Sequence, residues 1–280
     1  MYTRILAPLA AFALVACIAE KPAPCYSSYC SMTGAELAAI DRAALTADEK
    51  LQYDQARGHL KQRTKFEKQR AKNIRHYYKY TEVAFDGPDR AFTAHATTPY
   101  EVRDPFFVSG DNASDDYILF THGSEMGARH QLSVSVMYDI SEEDGLGRVK
   151  EERLWRGYER AHFKDGTPAD VTLDKRSIAY CQPVKKLVGY SGDYIWMDKC
   201  AFTERVSLPL SHTHIRRALE LDLPIELYLT SPNGPSQRYI VPTSLLAAYI
   251  LRLHDETGLF ADDVQNIAAL AKAREMVNKR

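Results

Sequence analysis

Gln131-Leu132-Ser133-Val134-Ser135-Val136-Met137-Tyr138-Asp139-Ile140 alternates apolar and polar side chains almost without a break. On a strand, Leu132, Val134, Val136, Tyr138 and Ile140 share one face, because successive side chains point to opposite sides. Further strand candidates lie upstream at 77–85, 92–98, 106–108 and 117–121, and downstream at 158–163, 169–173, 177–180, 194–197 and 201–208. Turn signals separate them: Asp86-Gly87-Pro88, Asp144-Gly145, Asp165-Gly166 and Ser191-Gly192. Many short strands at this spacing predict an antiparallel sandwich or a barrel-like domain. Strand–helix–strand alternation is missing, which argues against a doubly wound sheet.

Helices flank this region, so the expected class is α+β. Thr33-Gly34-Ala35-Glu36 and Thr46-Ala47-Asp48-Glu49 have the form of capping boxes, and predict helices over about 34–45 and 47–75. The second is strongly basic, and Leu51, Leu60, Phe66 and Ile74 form no steady stripe along it. A helix polar nearly all round is bridging, partly solvated or marginal. Two readings stand for Lys65, Lys68, Arg70 and Lys72: a solvated face, or contact with an acidic partner or anionic lipid.

Downstream, Ser211 reads as a helix cap, with Ile215, Ala218, Leu219 and Asp222 on one side. Residues 225–230 and 237–241 read as a hairpin around Ser231-Pro232-Asn233-Gly234-Pro235. Thr243 opens a helix with the stripe Leu246, Tyr249, Ile250 and Leu253, stopped by Gly258. A last helix starts near Asp262, with Val264, Ile267, Ala268 and Ala271 as its apolar face. The expected organisation is 1–16 signal peptide, 17–32 tether, 33–76 helical segment, 77–258 sheet domain and 259–280 C-terminal helix.

The N-terminus carries the clearest address. After Met1-Tyr2-Thr3-Arg4, residues 5–16 are apolar and rich in alanine. That run is too short to cross ~30 Å of hydrocarbon, which takes about 20 residues, and fits the core of a signal peptide. It ends in Leu14-Val15-Ala16-Cys17, which resembles the lipobox of bacterial lipoproteins. The resemblance covers only this N-terminal stretch. It implies a thiol at Cys17 that receives lipid (diacylglycerol, then palmitate or a similar chain) and becomes the new N-terminus. A conventional signal peptide cut after Ala19 is the alternative. Ile18, where the inner-membrane retention signal resembles Asp, favours an outer-membrane anchor facing the periplasm. Residues 200–253 resemble, loosely, the ends of Gram-negative envelope lipoproteins of unassigned activity, and no functional residue is carried over.

With Cys17 lipidated, Cys25, Cys30, Cys181 and Cys200 remain. Four cysteines allow three pairings. Their clustering suggests Cys25 with Cys30 and Cys181 with Cys200, in an oxidising periplasm. Spacing this wide is poor for structural zinc.

Chain length of 280 residues allows one large domain or two small ones, and a net charge of −1 argues against a nucleic-acid binder. His212-Thr213-His214 is the best metal candidate. On a strand the two imidazoles would share a face; on a helix capped by Ser211 they point about 200° apart and do not chelate together. The helical reading is adopted, and no metal or cofactor is expected. Thr121-His122-Gly123-Ser124-Glu125 gathers Ser, His and Glu but lacks the nucleophile elbow. Asp111-Asn112-Ala113-Ser114-Asp115-Asp116 lacks the Gly and closing Glu of a calcium loop. The leading expectation is therefore a tethered, non-enzymatic scaffold or assembly factor with an envelope protein partner. The rival is a periplasmic hydrolase of cell-wall or sugar polymers, whose paired carboxylates would leave no linear signature.

Overall fold

A computed structural model describes residues 22, 24–86, 91–97, 116–124, 127–141, 155–188 and 193–279. The chain divides into two units, Met1–Arg70 and Ala71–Arg280. Cys17, the strand candidate at 106–108 and the acidic turn at 111–115 lie outside the described residues.

In the first unit, both capping boxes form. Thr33 N–H donates to Glu36 Oε2 at 2.6 Å while Glu36 N–H donates to Thr33 Oγ1, and Thr46 and Glu49 repeat the exchange. Helix α1 (Gly34–Ala38) is shorter than expected, because Asp41 caps a separate 3-10 turn over Arg42–Ala44. Helix α2 (Ala47–Tyr80) starts as predicted. Leu37, Tyr53 and Ala56 make a small core, packed by Tyr29, Met32, Ile40 and Leu60. The Tyr53 hydroxyl donates to Leu37 O at 2.9 Å. Cys25 and Cys30 are bridged beside this core.

Helix α2 runs past the expected end at 75 and takes up Tyr77–Tyr80, read in sequence as strand. Ile74, Tyr77 and Tyr78 fall at i, i+3 and i+4, so one face reaches the larger core. That spacing overrides the strand preference of tyrosine. The Thr81 hydroxyl closes the helix by donating to Tyr77 O at 2.7 Å.

The second unit is an α+β structure with two antiparallel sheets. The larger has six strands in the order β1 (Thr81–Asp86), β2 (Ala91–Thr97), β3 (Asp116–Ser124), β4 (Gly127–Ser141), β8 (Asp193–Leu210) and β7 (Thr172–Val188). The smaller is β10 (Gln237–Val241), β9 (Ile225–Thr230), β5 (Arg160–Phe163) and β6 (Pro168–Asp170). Every ladder is antiparallel. The larger sheet is open, with β1 and β7 at its edges among the described residues, so the barrel-like alternative falls.

The alternating face of β4 (Leu132, Val134, Val136, Tyr138, Ile140) is buried throughout and faces the main core. Tyr117 links the two sheets through a hydrogen bond to Ile240 O. Helix α4 (Thr243–Thr257) is buried well beyond the predicted stripe, since Leu245, Ala247, Ala248 and Leu251 are buried as well. It packs on β1 and β2, on α3 (His212–Leu221) and on α6 (Ala268–Asn278), and its exposed residues, Asp255 and Glu256, lie in the last turn. Gly258 ends it at φ 75°, as expected. The predicted last helix is two: α5 (Ala261–Asn266) and α6, broken at the extended Ile267, with Leu270 and Ala273 as the buried face of α6. Asp222 is not on the face of α3 but ends it in the left-handed region.

Two pairs of short strand candidates are in fact one long hairpin. β7 and β8 are 17 and 18 residues long, with register shifts at Leu173/Lys175 and Ile178/Tyr180. These irregularities reset the alternation and hide the continuity of β7 from a period-two reading. The hairpin of β9 and β10 matches its predicted bounds.

Candidate functional site

Strand register assembles a polar cluster at the N-terminal end of β4. Thr121 lies opposite His130 in the β3–β4 ladder, and His130 lies opposite Leu210 in the β4–β8 ladder. Ser211 follows at once and caps α3 by accepting from His214 N–H at 3.2 Å, so His212 opens the helix beside His130. His130 Nδ1 is 2.7 Å from Thr121 Oγ1, and its Nε2 is 3.4 Å from His212 Nδ1. His212 Nε2 is 2.6 Å from Asp263 Oδ2 on α5. Arg216, one turn along α3, approaches the other Asp263 oxygen at 3.5 Å. From α4 the Tyr249 hydroxyl lies 2.6 Å from Thr121 Oγ1 and 3.2 Å from Ala94 O. Phe260, held at φ 63°, stacks on His212 with ring centroids 4.8 Å apart and tilts over His130 at 5.6 Å.

Thr121, His130, Tyr249 and Asp263 are buried; the His212 side chain keeps 36% of its exposure and is the cluster's opening to solvent. Burial, with His212 adding repulsion, pushes the His130 imidazole down to about 4. Burial raises the Tyr249 phenol, against the smaller opposing effect of its bond to Thr121. At neutral pH His130 is therefore uncharged and Tyr249 keeps its proton. Thr121 is wholly buried, so its hydroxyl is not presented to a substrate.

A second cluster lies toward the other end of β4. The Glu204 carboxylate of β8 has no exposure. It accepts from the Tyr138 hydroxyl at 2.6 Å, the Gly157 N–H at 3.0 Å and Arg176 Nε at 3.3 Å. Arg156 N–H donates to the Tyr138 oxygen, and its guanidinium lies 4.3 Å from the ring centroid. Ser231 donates to Arg156 O and Asn233 to Trp155 O. Gly157 needs its φ of 67°, and a Cβ on Gly234 would meet Arg156 at 2.7 Å. This carboxylate ties residues 155–157 to the sheet and leaves no approach for a substrate.

The long hairpin carries a third feature. The described pairing of β4 with β8 ends at Ser141 opposite Lys199, and beyond it β8 pairs with β7 alone among the described residues. Cys181 and Cys200, opposite each other, are bridged at that point, with Cα atoms 4.0 Å apart. On the outer part Tyr194, Ile195 and Trp196 are exposed, Trp196 at 66%, and Tyr180, just inside the bridge, is exposed as well. Lys185 Nζ lies 4.6 Å from the Tyr194 ring centroid and 5.9 Å from that of Trp196.

The residues singled out in sequence are thus scattered. His212 and His214 lie on a helix with separate partners: His214 meets Ser211 Oγ at 2.8 Å and the Phe163 ring at 4.3 Å. His122, opposite Arg129, alternates away from Thr121 and is exposed, and Glu125 lies outside the described residues. Lys65, Lys68 and Lys72 are exposed, whereas Arg70 is 7% exposed and is no free contact residue. No helix among the described residues is long and apolar enough to cross a membrane. Sequence patterning does not single out His130, Asp263 or Tyr249 as site residues. One signal was available: His130 continues the Leu132–Ile140 alternation on the buried face. The sequence matches no protein-family model and no curated protein.

Proposed function

We propose that this chain is an exported lipoprotein of a bacterial envelope, anchored through Cys17 and facing the periplasm. It acts there by contact with a protein partner, as a scaffold or assembly factor. One observation carries this reading: an exposed aromatic set on a disulfide-braced hairpin. Tyrosine and tryptophan are enriched in protein interfaces, and contiguous exposed apolar surface marks binding sites. Lys185 between Tyr194 and Trp196 limits their rotamers, so less entropy is lost on docking. Anchoring raises the effective concentration with a membrane partner. The exposed Lys65, Lys68 and Lys72 add steering toward an acidic surface, and this falls with salt.

A photo-crosslinking residue placed at Trp196 in the exported protein should capture one envelope protein, and the same probe at exposed Leu221 should not. Fatty-acid labelling should mark the wild type and not Cys17→Ser. Equal capture from both positions would remove the contact reading, and equal labelling would remove the anchor. The rival, a hydrolase of cell-wall or sugar polymers, has the His212–Asp263 pair in its favour, since His212 faces solvent. Loss of function in His212→Asn, with localisation and crosslinking intact, would favour that rival.

A further inference from the structure

Helix α2 turns by about 100° per residue, so Arg57, Lys61, Lys65 and Lys68 fall within about 80° of one another around its axis. The same spacing, three or four residues each time, carries on through Lys72, Arg75 and Lys79. Between 57 and 79 every residue in that sector is lysine or arginine, and each is exposed. Glu67, the only acid in the stretch, falls outside the sector. Arg70, Ile74 and Tyr77 lie on the opposite side and are buried or half-buried, which fixes the phase of the stripe.

No ion pair holds any of these cations among the described residues, and Arg75 donates to Lys279 O at 3.2 Å. Asp54, one turn before Arg57, is taken by Arg42. Other helices of the chain neutralise at this spacing: Arg216 meets Glu220 on α3, and Arg252 meets Glu256 on α4. Like charges three or four residues apart destabilise a helix, and a merely solvated face avoids them by alternating sign. We propose that the stripe is a docking face for a bilayer surface rich in anionic phospholipid. The choice of a bilayer over another polyanion rests on the lipoprotein reading above, in which an anchor at Cys17 keeps α2 near lipid head groups. Clusters of about four to eight Lys/Arg beside a membrane recognise such head groups. The sector holds no apolar side chain, so the contact is adsorption onto head groups and not insertion.

The test takes the mature length, residues 17–280 carrying Cys17→Ser, so that neither signal peptide nor acyl chain contributes. Vesicles of equimolar phosphatidylglycerol and phosphatidylcholine are the probe, and co-sedimentation reads binding. The protein should bind them at low salt, come off as ionic strength rises, and ignore vesicles of phosphatidylcholine alone. Arg57→Gln, Lys61→Gln, Lys65→Gln and Lys68→Gln together should weaken binding about fivefold for each cation removed. That variant should keep or raise the urea midpoint, because like-charge neighbours are relieved. The same change at exposed Arg160, Lys175, Arg205 and Arg217 should leave binding as in the wild type. Fatty-acid labelling of Cys17 is a separate measurement, so a missing anchor and a missing lipid contact are told apart. Absent vesicle binding, equal binding to phosphatidylcholine, or equal losses in the two fourfold variants would overturn the proposal. So would a lowered urea midpoint in the α2 variant, or tighter binding to a DNA duplex than to the vesicles.

Discussion

At one end of β4, Tyr138 meets a carboxylate that solvent does not reach; at the other, His130 meets an imidazole open to water. The Glu204 carboxylate is matched by a phenol, a backbone N–H and a guanidinium, each from a different part of the chain. Its binding capacity is taken up by the fold, and that makes it structural. The histidine pair is equally well supported on its outer nitrogens, but its inner nitrogens meet only each other, next to solvent. The two clusters thus differ in how far solvent reaches them. A polar cluster sealed on every side works only as a fastener, whereas one with a vertex at the surface keeps a group in contact with water.

The largest effect should come from Glu204. Glu204→Ala leaves Arg176, the Tyr138 hydroxyl and the Gly157 N–H without their acceptor, at a cost of about 3–5 kcal/mol. His212→Ala removes one half-exposed partner and should cost less than about 2 kcal/mol. Urea midpoints of the two variants decide the matter; a larger loss for His212→Ala would invert the comparison.

Proton linkage distinguishes the clusters next. His130 titrates at about 4 when folded and near 6.5 when unfolded, so below 6.5 the unfolded chain binds the extra proton. Stability should therefore fall as pH drops from about 6.5 to about 4, by roughly 3 kcal/mol, and level off below. His130→Gln should lack this component. Glu226 and Asp255 are also held low, against the raising effect of their burial, by bonds to Lys164 and Arg238 and to Arg274 and Tyr78. Their contribution is present at neutral pH and is lost only at lower pH, within and below the carboxylate range. Parallel unfolding profiles for wild type and His130→Gln between pH 6.5 and 5 would refute the assignment.

The smallest effect tests the connection between cap and site. Ser211→Ala removes the side chain that receives His214 N–H, and should cost about 1 kcal/mol. It should also shift the His212 resonances while leaving those of Tyr138 in place. Shifts of equal size at both ends of β4 would mean that the two clusters are not independent.

Much of the scaffold was legible because its signals are local. The β4 alternation, both capping boxes, the β9–β10 hairpin and the Gly258 stop depend on neighbours within a turn or a strand. The site was not, because it depends on register and on distant packing. Asp263 reads in sequence as an ordinary acid at a helix N-terminus, and nothing nearby points to His212. Cys181–Cys200 could be paired from clustering, but the strand around it was cut in two by bulges. Tyr77–Tyr80 carry a strand preference that the burial of Ile74, Tyr77 and Tyr78 on one helical face overrides.

The bridge between Cys181 and Cys200 stands where, among the described residues, the pairing of the hairpin with β4 ends. The outer part spans six residue pairs, from Pro183–Asp198 to Val188–Asp193, which is about 20 Å of ribbon. An isolated two-strand ribbon is marginally stable in water. A covalent clamp at its root works as a mechanical hinge stop: it passes bending of the tip into the sheet rather than letting the strands fray apart. Stiffness of the lever then depends on the redox state of its surroundings. The same chain held in a reducing compartment would carry a slack arm, and would lose the Cys25–Cys30 bridge as well.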